Sequence, residues 1–333
     1  MSTYKLGIDI GSTTIKLVVV DAGNNFVFDS YRRHHSNIKE TLLELATTAM
    51  ESLGQFSFSA MITGSGGLSL ANWVGVPFVQ EVIAVSDALS FCAPQTDVAI
   101  EIGGEDAKII YFSNTIEQRM NGICAGGTGS FIDQMAALLD TDASGLNELA
   151  KAHQVIYPIA ARCGVFAKSD LQPLINEGTS RADLAASIFQ AIVSQTISGL
   201  ACGKPIRGNV AFLGGPLHFL SQLRARFVDV LQLAPAQVIE PDNSHLFAAL
   251  GAAIRAESEG ALLDIKSLLN NLSGVQELPF EMTRLATLFT GQDEFDAFSN
   301  RHSQHIVPKE DLASYIGDCF FGLDAGSTPQ RLF

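Results

Sequence analysis

Two short segments of this chain obey one rule: DIGSTTIK at 9–16 and EIGGEDAK at 101–108. Each places an acidic residue, then glycine, then a lysine between two apolar, β-branched stretches. Such stretches read as strands, and the glycine segment between them as a hairpin turn. A chain that uses the same hairpin twice is constrained to fold as two related lobes.

The surroundings of each hairpin agree. In the first lobe, residues 1–92, AGNN reads as a second turn and NFVFDSYRR as a third strand. IKETLLELATTAMESLG has helical spacing and stops at Gly54; SFSAMITGSGG returns to a strand, and a helix is predicted near 80–92. In the second lobe, residues 93–244, the pattern restarts as three strands, with helices near 128–140, 165–177 and 181–200 and a strand in NVAFLGG. SHLFAALGAAIRAE, near 245–258, reads as a small-residue helix packing back on the first lobe. Residues 259–318 read as a helical linker. FFGLDAGST at 320–328 resembles KLGIDIGST at 5–13, so residues 319–333 read as the start of a second repeat, and the chain as the N-terminal segment of a longer polypeptide.

Composition narrows the function. Of 333 residues, 47% are hydrophobic and 17% charged, which suits a well-packed two-lobed protein. The formal net charge of −14 argues against nucleic acid and anionic membranes as partners. No apolar run approaches the roughly 20 residues of a membrane span, and MSTYKLGIDIG lacks signal-peptide features. The expected location is the cytoplasm. Five widely spaced cysteines, an odd number, do not make a disulfide framework.

The turns carry phosphate chemistry. Free backbone N–H groups in a glycine turn form an anion nest. Asp9 is placed to hold Mg²⁺ directly or through water. Gly11 admits close approach, Ser12, Thr13 and Thr14 add hydroxyls, and Lys16 reaches toward a terminal phosphate. Glu101, with Gly103, Gly104 and Glu105, faces the γ-phosphate from the other lobe, where a carboxylate orients the attacking water. Gly214 and Gly215 of FLGGP complete the set on the adenosine side, although FLGGP by itself is an ordinary strand-to-helix turn. The three elements together resemble the two phosphate motifs and the adenosine motif of the actin, Hsp70 and sugar-kinase superfamily. That resemblance implies an α/β fold of two ribonuclease-H-like lobes with a nucleotide cleft between them.

Cys124, in NGICAGGTGSF, and Cys163, in AARCGVF, each precede a predicted helix. A helix N-terminus favours thiolate and offers N–H groups to bound sulfide. Their wide separation is no zinc-knuckle spacing. Two thiolates are too few for an iron–sulfur cluster, but a two-fold homodimer doubles them. The bland alternative, a small buried residue, is kept for Cys92, Cys202 and Cys319.

With these segments in order over 5–255, LGIDIGSTTIK, EIGGEDAK, NGICAGGTGSFIDQMA, AARCGVFAKSDLQPL, VAFLGGP and HLFAALGAAI, the chain resembles the ATPase activators (component A) of 2-hydroxyacyl-CoA dehydratases, kin of the benzoyl-CoA reductase ATPase subunits. The cysteine segments separate this resemblance from sugar kinases. It implies ATP and Mg²⁺, a homodimer bridged by one 4Fe–4S cluster whose ligands fall on Cys124 and Cys163, a reduced ferredoxin or flavodoxin as donor, and ATP-driven injection of a low-potential electron into an iron–sulfur dehydratase partner. Glu101 stands where many members carry Asp, GGPLHFL departs from the usual continuation, and EVIAVSD at 81–87 matches loosely, so no role is assigned within it. The restarted FGLDAGST resembles the long, fused members. The competing readings are a sugar or small-molecule kinase of the same fold, with Asp106 as a nominee for its catalytic acid, a non-catalytic ATP-binding regulator, and zinc at the cysteines.

Overall fold

The computed structural model describes residues 4–112, 115–121, 126–160, 164–274, 286–307, 311, 313–318, 320, 322–324 and 331–332. Cys124, Cys163 and Cys319 lie outside the described residues.

The first lobe opens with β1 (Tyr4–Ile10), β2 (Thr14–Val20) and β3 (Phe26–Arg33), followed by α1 (Ile38–Leu53), β4 (Ser57–Thr63), α2 (Gly67–Val74) and α3 (Glu81–Cys92). β1 is buried on both faces and lies inside the sheet, antiparallel to β2 and parallel to β4. β3 is the partly exposed edge. The second lobe repeats this with β5 (Val98–Ile102), β6 (Ala107–Phe112) and β7 (Ile116–Met120). Its helices are α4 (Gly129–Leu138), α5 (Ala143–Ala150), α6 (Gly164–Asn176) and α7 (Arg181–Thr196). Then come β8 (Val210–Leu213), α8 (Gly215–Phe219), α9 (Ser221–Leu231) and β9 (Val238–Ile239). Here β5 is antiparallel to β6 and parallel to β8, as β1 is to β2 and β4.

α7 runs on through a π-helical turn, Ile197–Ala201. The 21 residues Arg181–Ala201 are long and apolar enough to cross a membrane, with a mean hydropathy of 1.4, although no such run stood out in the sequence. Two thirds of this helix is buried, with Leu184, Ile188, Phe189 and Ile192 in the second lobe's core.

α10 (Phe247–Glu259) lies against β1, β4 and α3. Its alanines permit a close approach, and at Gly251 a Cβ would meet the carbonyl oxygen of Ala84 at 1.6 Å, so glycine is required there. Between the two sheets, Val18 and Val20 of β2, Ala99 of β5 and Ile110 of β6 share one apolar layer with Val85 and Leu89 of α3 and Leu250 and Ala253 of α10.

Residues 261–273, expected to be part of a linker, belong to the first lobe. β10 (Ala261–Asp264) pairs antiparallel with β4, and α11 (Ile265–Ser273) buries Ile265, Leu268 and Leu272 in the first lobe's core beside Leu42 and Leu45. Fully burying such side chains is worth about 2 kcal/mol each, which ties the segment to the lobe. Asp264 caps α11 by accepting from the Ser267 N–H at 2.9 Å. One compact unit runs to Gly274 and a second covers Val275–Phe333. In the second, α12 (Gln292–Ser303) has Asp293 and Glu294 in its first turn and Arg301 and His302 in its last, charges that complement the helix dipole. β11 (Leu323–Asp324) and β12 (Arg331–Leu332) pair there; most of the FFGLDAGST segment lies outside the described residues. Cys92 and Cys202, read as buried, are exposed free thiols: Cys92 ends α3, and Cys202 follows the π turn in a left-handed conformation.

Candidate active site

The two hairpins are built alike. Gly11 donates its N–H to the carbonyl of Thr14 at 3.0 Å, and Gly103 donates to that of Asp106 at 2.7 Å. Asp9 and Lys16 are cross-strand partners on β1 and β2; Glu101 and Lys108 hold the matching places on β5 and β6. The turns meet tip to tip. A Cβ on Gly104 would come within 2.1 Å of Thr13 Oγ1, so glycine is what lets them touch.

Between the turns lies an enclosed cavity. The first hairpin lines it with Asp9, Gly11, Ser12, Thr14 and Lys16, the second with Glu101, Gly103, Gly104 and Asp106. Gly214 and Gly215, at the start of α8, close it together with Tyr31, Ser244 and His245. Of the twelve phosphate- and adenosine-side residues singled out from the sequence, ten therefore line one cavity. Thr13 lines the neighbouring cavity instead, and Glu105 is exposed at the turn, where its carbonyl accepts from Asn121 Nδ2 at 3.1 Å. The neighbouring cavity, of about 180 Å³, has apolar walls from Ile132, Pro216, Phe219 and Leu220. Arg33 of β3 and Asp133 of α4 also line it, joined by two bonds of 2.7 and 3.2 Å.

Charge is concentrated at the cavity floor. Asp9 is 2% exposed; its Oδ2 binds Lys16 Nζ at 2.8 Å, while its buried Oδ1 has no hydrogen-bond partner among the described residues. Ser12 Oγ is likewise unpartnered. Burial, the largest single influence, works against the charge on Lys16, but Asp9, Tyr31 and Glu81 together outweigh it and raise the lysine's pKa. Lys108 binds Glu81 and Asp106, each at 2.6 Å. Burial pushes Glu81 up to about 8 against the pull of Lys108, and burial likewise raises Glu101. At the far end, burial with help from His218 and Lys16 pushes His245 down to about 4. The His218 and His245 rings lie 4.0 Å apart, and His218 Nδ1 is 3.0 Å from Ser244 Oγ.

The unpartnered oxygens suit a hydrated cation and phosphate oxygens. Among the described residues no three His, Cys, Asp or Glu side chains are grouped to hold a metal ion. Asp106, nominated for a kinase, is tied to Lys108. Sequence reasoning missed Glu81, Tyr31 and His245. Glu81 carries no local signal, because it arrives from a helix twenty residues before the hairpin it serves.

The family model described as the BadF/BadG/BcrA/BcrD ATPase family matches residues 6–256, three quarters of the chain. This chain belongs to the BadF/BadG/BcrA/BcrD ATPase family. Among relatives of this ATPase, the 2-hydroxyisocaproyl-CoA dehydratase activator of Clostridioides difficile is 29% identical over 265 residues, 77% of this chain and 96% of that protein. The (R)-2-hydroxyglutaryl-CoA dehydratase activating ATPase of Acidaminococcus fermentans is 32% identical over 220 residues, 65% and 84% of the two chains. The crystal structure of the A. fermentans (R)-2-hydroxyglutaryl-CoA dehydratase component A superposes with a TM-score of 0.68 at 29% identity, covering 77% of this chain and all of that one. The fold of this family member is thus the actin/Hsp70/sugar-kinase-like ATPase fold.

Proposed function

We propose that this family member is an ATP-hydrolysing iron–sulfur protein that activates a 2-hydroxyacyl-CoA dehydratase-type partner by ATP-driven electron injection. One observation carries the reading. The two acid–lysine hairpins face each other across one cavity, and the second is hydrogen-bonded to the helix that begins five residues after Cys124.

Asp9 would hold Mg²⁺, which supplies charge neutralisation at the β- and γ-phosphates. The turn N–H groups of both hairpins, Lys16, and the hydroxyls of Ser12 and Thr14 grip the phosphates; Glu101 orients the attacking water. The nucleoside end extends toward Gly214 and Gly215. ATP bridges hairpins from opposite lobes and draws the lobes together, and hydrolysis releases them, a hinge response driven by different affinities for ATP and ADP. Because α4 is bonded to the turn at Gly103 and Gly104, its N-terminal end follows that motion. A 4Fe–4S cluster, held by Cys124 and Cys163 of each of two copies, would supply the low-potential electron, with ferredoxin or flavodoxin as donor. The setting is the cytoplasm of an organism with anaerobic metabolism.

Anaerobically purified protein should hydrolyse ATP, be brown, and carry about four irons per dimer. Cys124→Ala should abolish the iron and leave ATP binding intact. Iron retained after loss of both Cys124 and Cys163 would overturn the cluster assignment, and phosphorylation of a sugar without iron would favour the kinase.

A further inference from the structure

The two lobes treat their matching acid–lysine pairs differently. In the first lobe the cross-strand pair closes directly, with Lys16 Nζ 2.8 Å from Asp9. In the second lobe Lys108 Nζ stands 3.7 Å from Glu101, because Glu81 and Asp106 each hold it at 2.6 Å. Asp106 sits where the first hairpin has Thr14, and Glu81 comes from the first turn of α3. Lys108 is 3% exposed, and Glu101 Oε2 is buried without a hydrogen bond among the described residues.

The charged groups around Glu81 are Asp9 on β1, Lys16 on β2, Glu101 on β5, Asp106 in the turn and Lys108 on β6. On α10, which also packs against α3, Arg255 is taken by Asp87 at 2.7 Å. Lys108 is thus the ammonium that decides which second-lobe carboxylate is neutralised. An ammonium in direct contact lowers a carboxylate's basicity and occupies the lone pair that would align a water.

We propose that Glu81 is a positioning residue for ATP hydrolysis: by holding the Lys108 ammonium it keeps that charge off Glu101, leaving the Glu101 carboxylate free for the attacking water. The inference rests on the ATPase reading above. It explains why the second hairpin differs from the first. Asp9 has a lysine as close partner and one free oxygen for a cation, whereas Glu101 is relieved of its lysine by Asp106 in its own turn together with a carboxylate from outside the hairpin.

Phosphate release from Mg²⁺-ATP by the full chain tests this. Glu81→Gln leaves Asp106 as the one close carboxylate holding Lys108 and lets the ammonium shift toward Glu101, so kcat should fall about tenfold while KM for ATP changes less than about threefold. The double variant Glu81→Gln with Lys108→Gln removes the intruding ammonium. It should hydrolyse ATP about threefold faster than Glu81→Gln alone, an outcome that loss of mere packing would not give. Glu81→Asp keeps the carboxyl group but draws it back by one methylene; it should fall between wild type and Glu81→Gln, and it carries the test if the glutamine variant fails to fold. Wild-type turnover with an unaffected Glu81→Gln, or a double variant no faster than the single, overturns this inference alone. A wild-type chain that releases no phosphate overturns the ATPase reading and this inference with it.

Discussion

Gly129 donates its backbone N–H to the carbonyl of Gly103 at 2.9 Å, and Ser130 repeats the contact with Gly104 at 2.7 Å. The first turn of α4 is therefore bonded to the second phosphate hairpin. Those N–H groups are the ones a helix leaves without internal partners, so the contact satisfies donors and turn carbonyls together. Gly104→Ala sets a methyl against Thr13 Oγ1, where the ideal Cβ position lies 2.1 Å away. The hairpins must part. Titration calorimetry should show ATP affinity reduced by about tenfold or more, equivalent to the 1–3 kcal/mol of an overpacked contact, and hydrogen exchange in the first turn of α4 should quicken.

Arg33 and Asp133 join the edge of the first sheet to α4 by two hydrogen bonds. Their side chains are 52% and 39% exposed, so solvent screens the pair. Arg33→Ala should change unfolding free energy by less than about 1 kcal/mol in urea titration. A larger loss would show the pair to be a main strut between the lobes.

Stability should fall as pH rises from 6.5 to 8. Glu81 is pushed up to about 8, mainly by burial, so the folded chain holds a proton there that the unfolded chain has released. That contribution is fully present below the ordinary glutamate range and is lost as pH rises through 8. His245, pushed down to about 4, works in the opposite direction, but its window closes at 6.5. Thermal melts of the nucleotide-free protein should therefore decline above pH 6.5, and Glu81→Gln should flatten that decline.

Leu268 of α11 is fully buried against the first lobe, whereas Leu288 is 85% exposed in the second unit. Leu268→Ala should cost about 2–5 kcal/mol in chemical denaturation. Leu288→Ala should cost less than about 0.5 kcal/mol. Equal, small effects would mean that residues 265–273 do not stabilise the lobe.

The sequence by itself determined both hairpins, the strands that carry them and the glycines at their turns. These are local: an apolar run, a glycine and an alternation of side chains fix a strand and a turn whatever surrounds them. The structure then paired Asp9 with Lys16, and Glu101 with Lys108, across those strands, a register that follows from turn length. Tertiary structure decided what those partners do. Lys16 closes on Asp9, but Lys108 is drawn to Glu81, a residue of another helix whose side chain reaches the cavity only after the lobes have packed around α3 and α10. Tertiary structure likewise joined β10 and α11 to the first lobe, where the polar-interrupted sequence read as linker, because three buried apolar side chains and a strand pairing outweigh a weak local pattern. Local propensity is written in neighbours along the chain. The partner of a buried charge is set by which groups share a low-dielectric space, and the sequence does not list those.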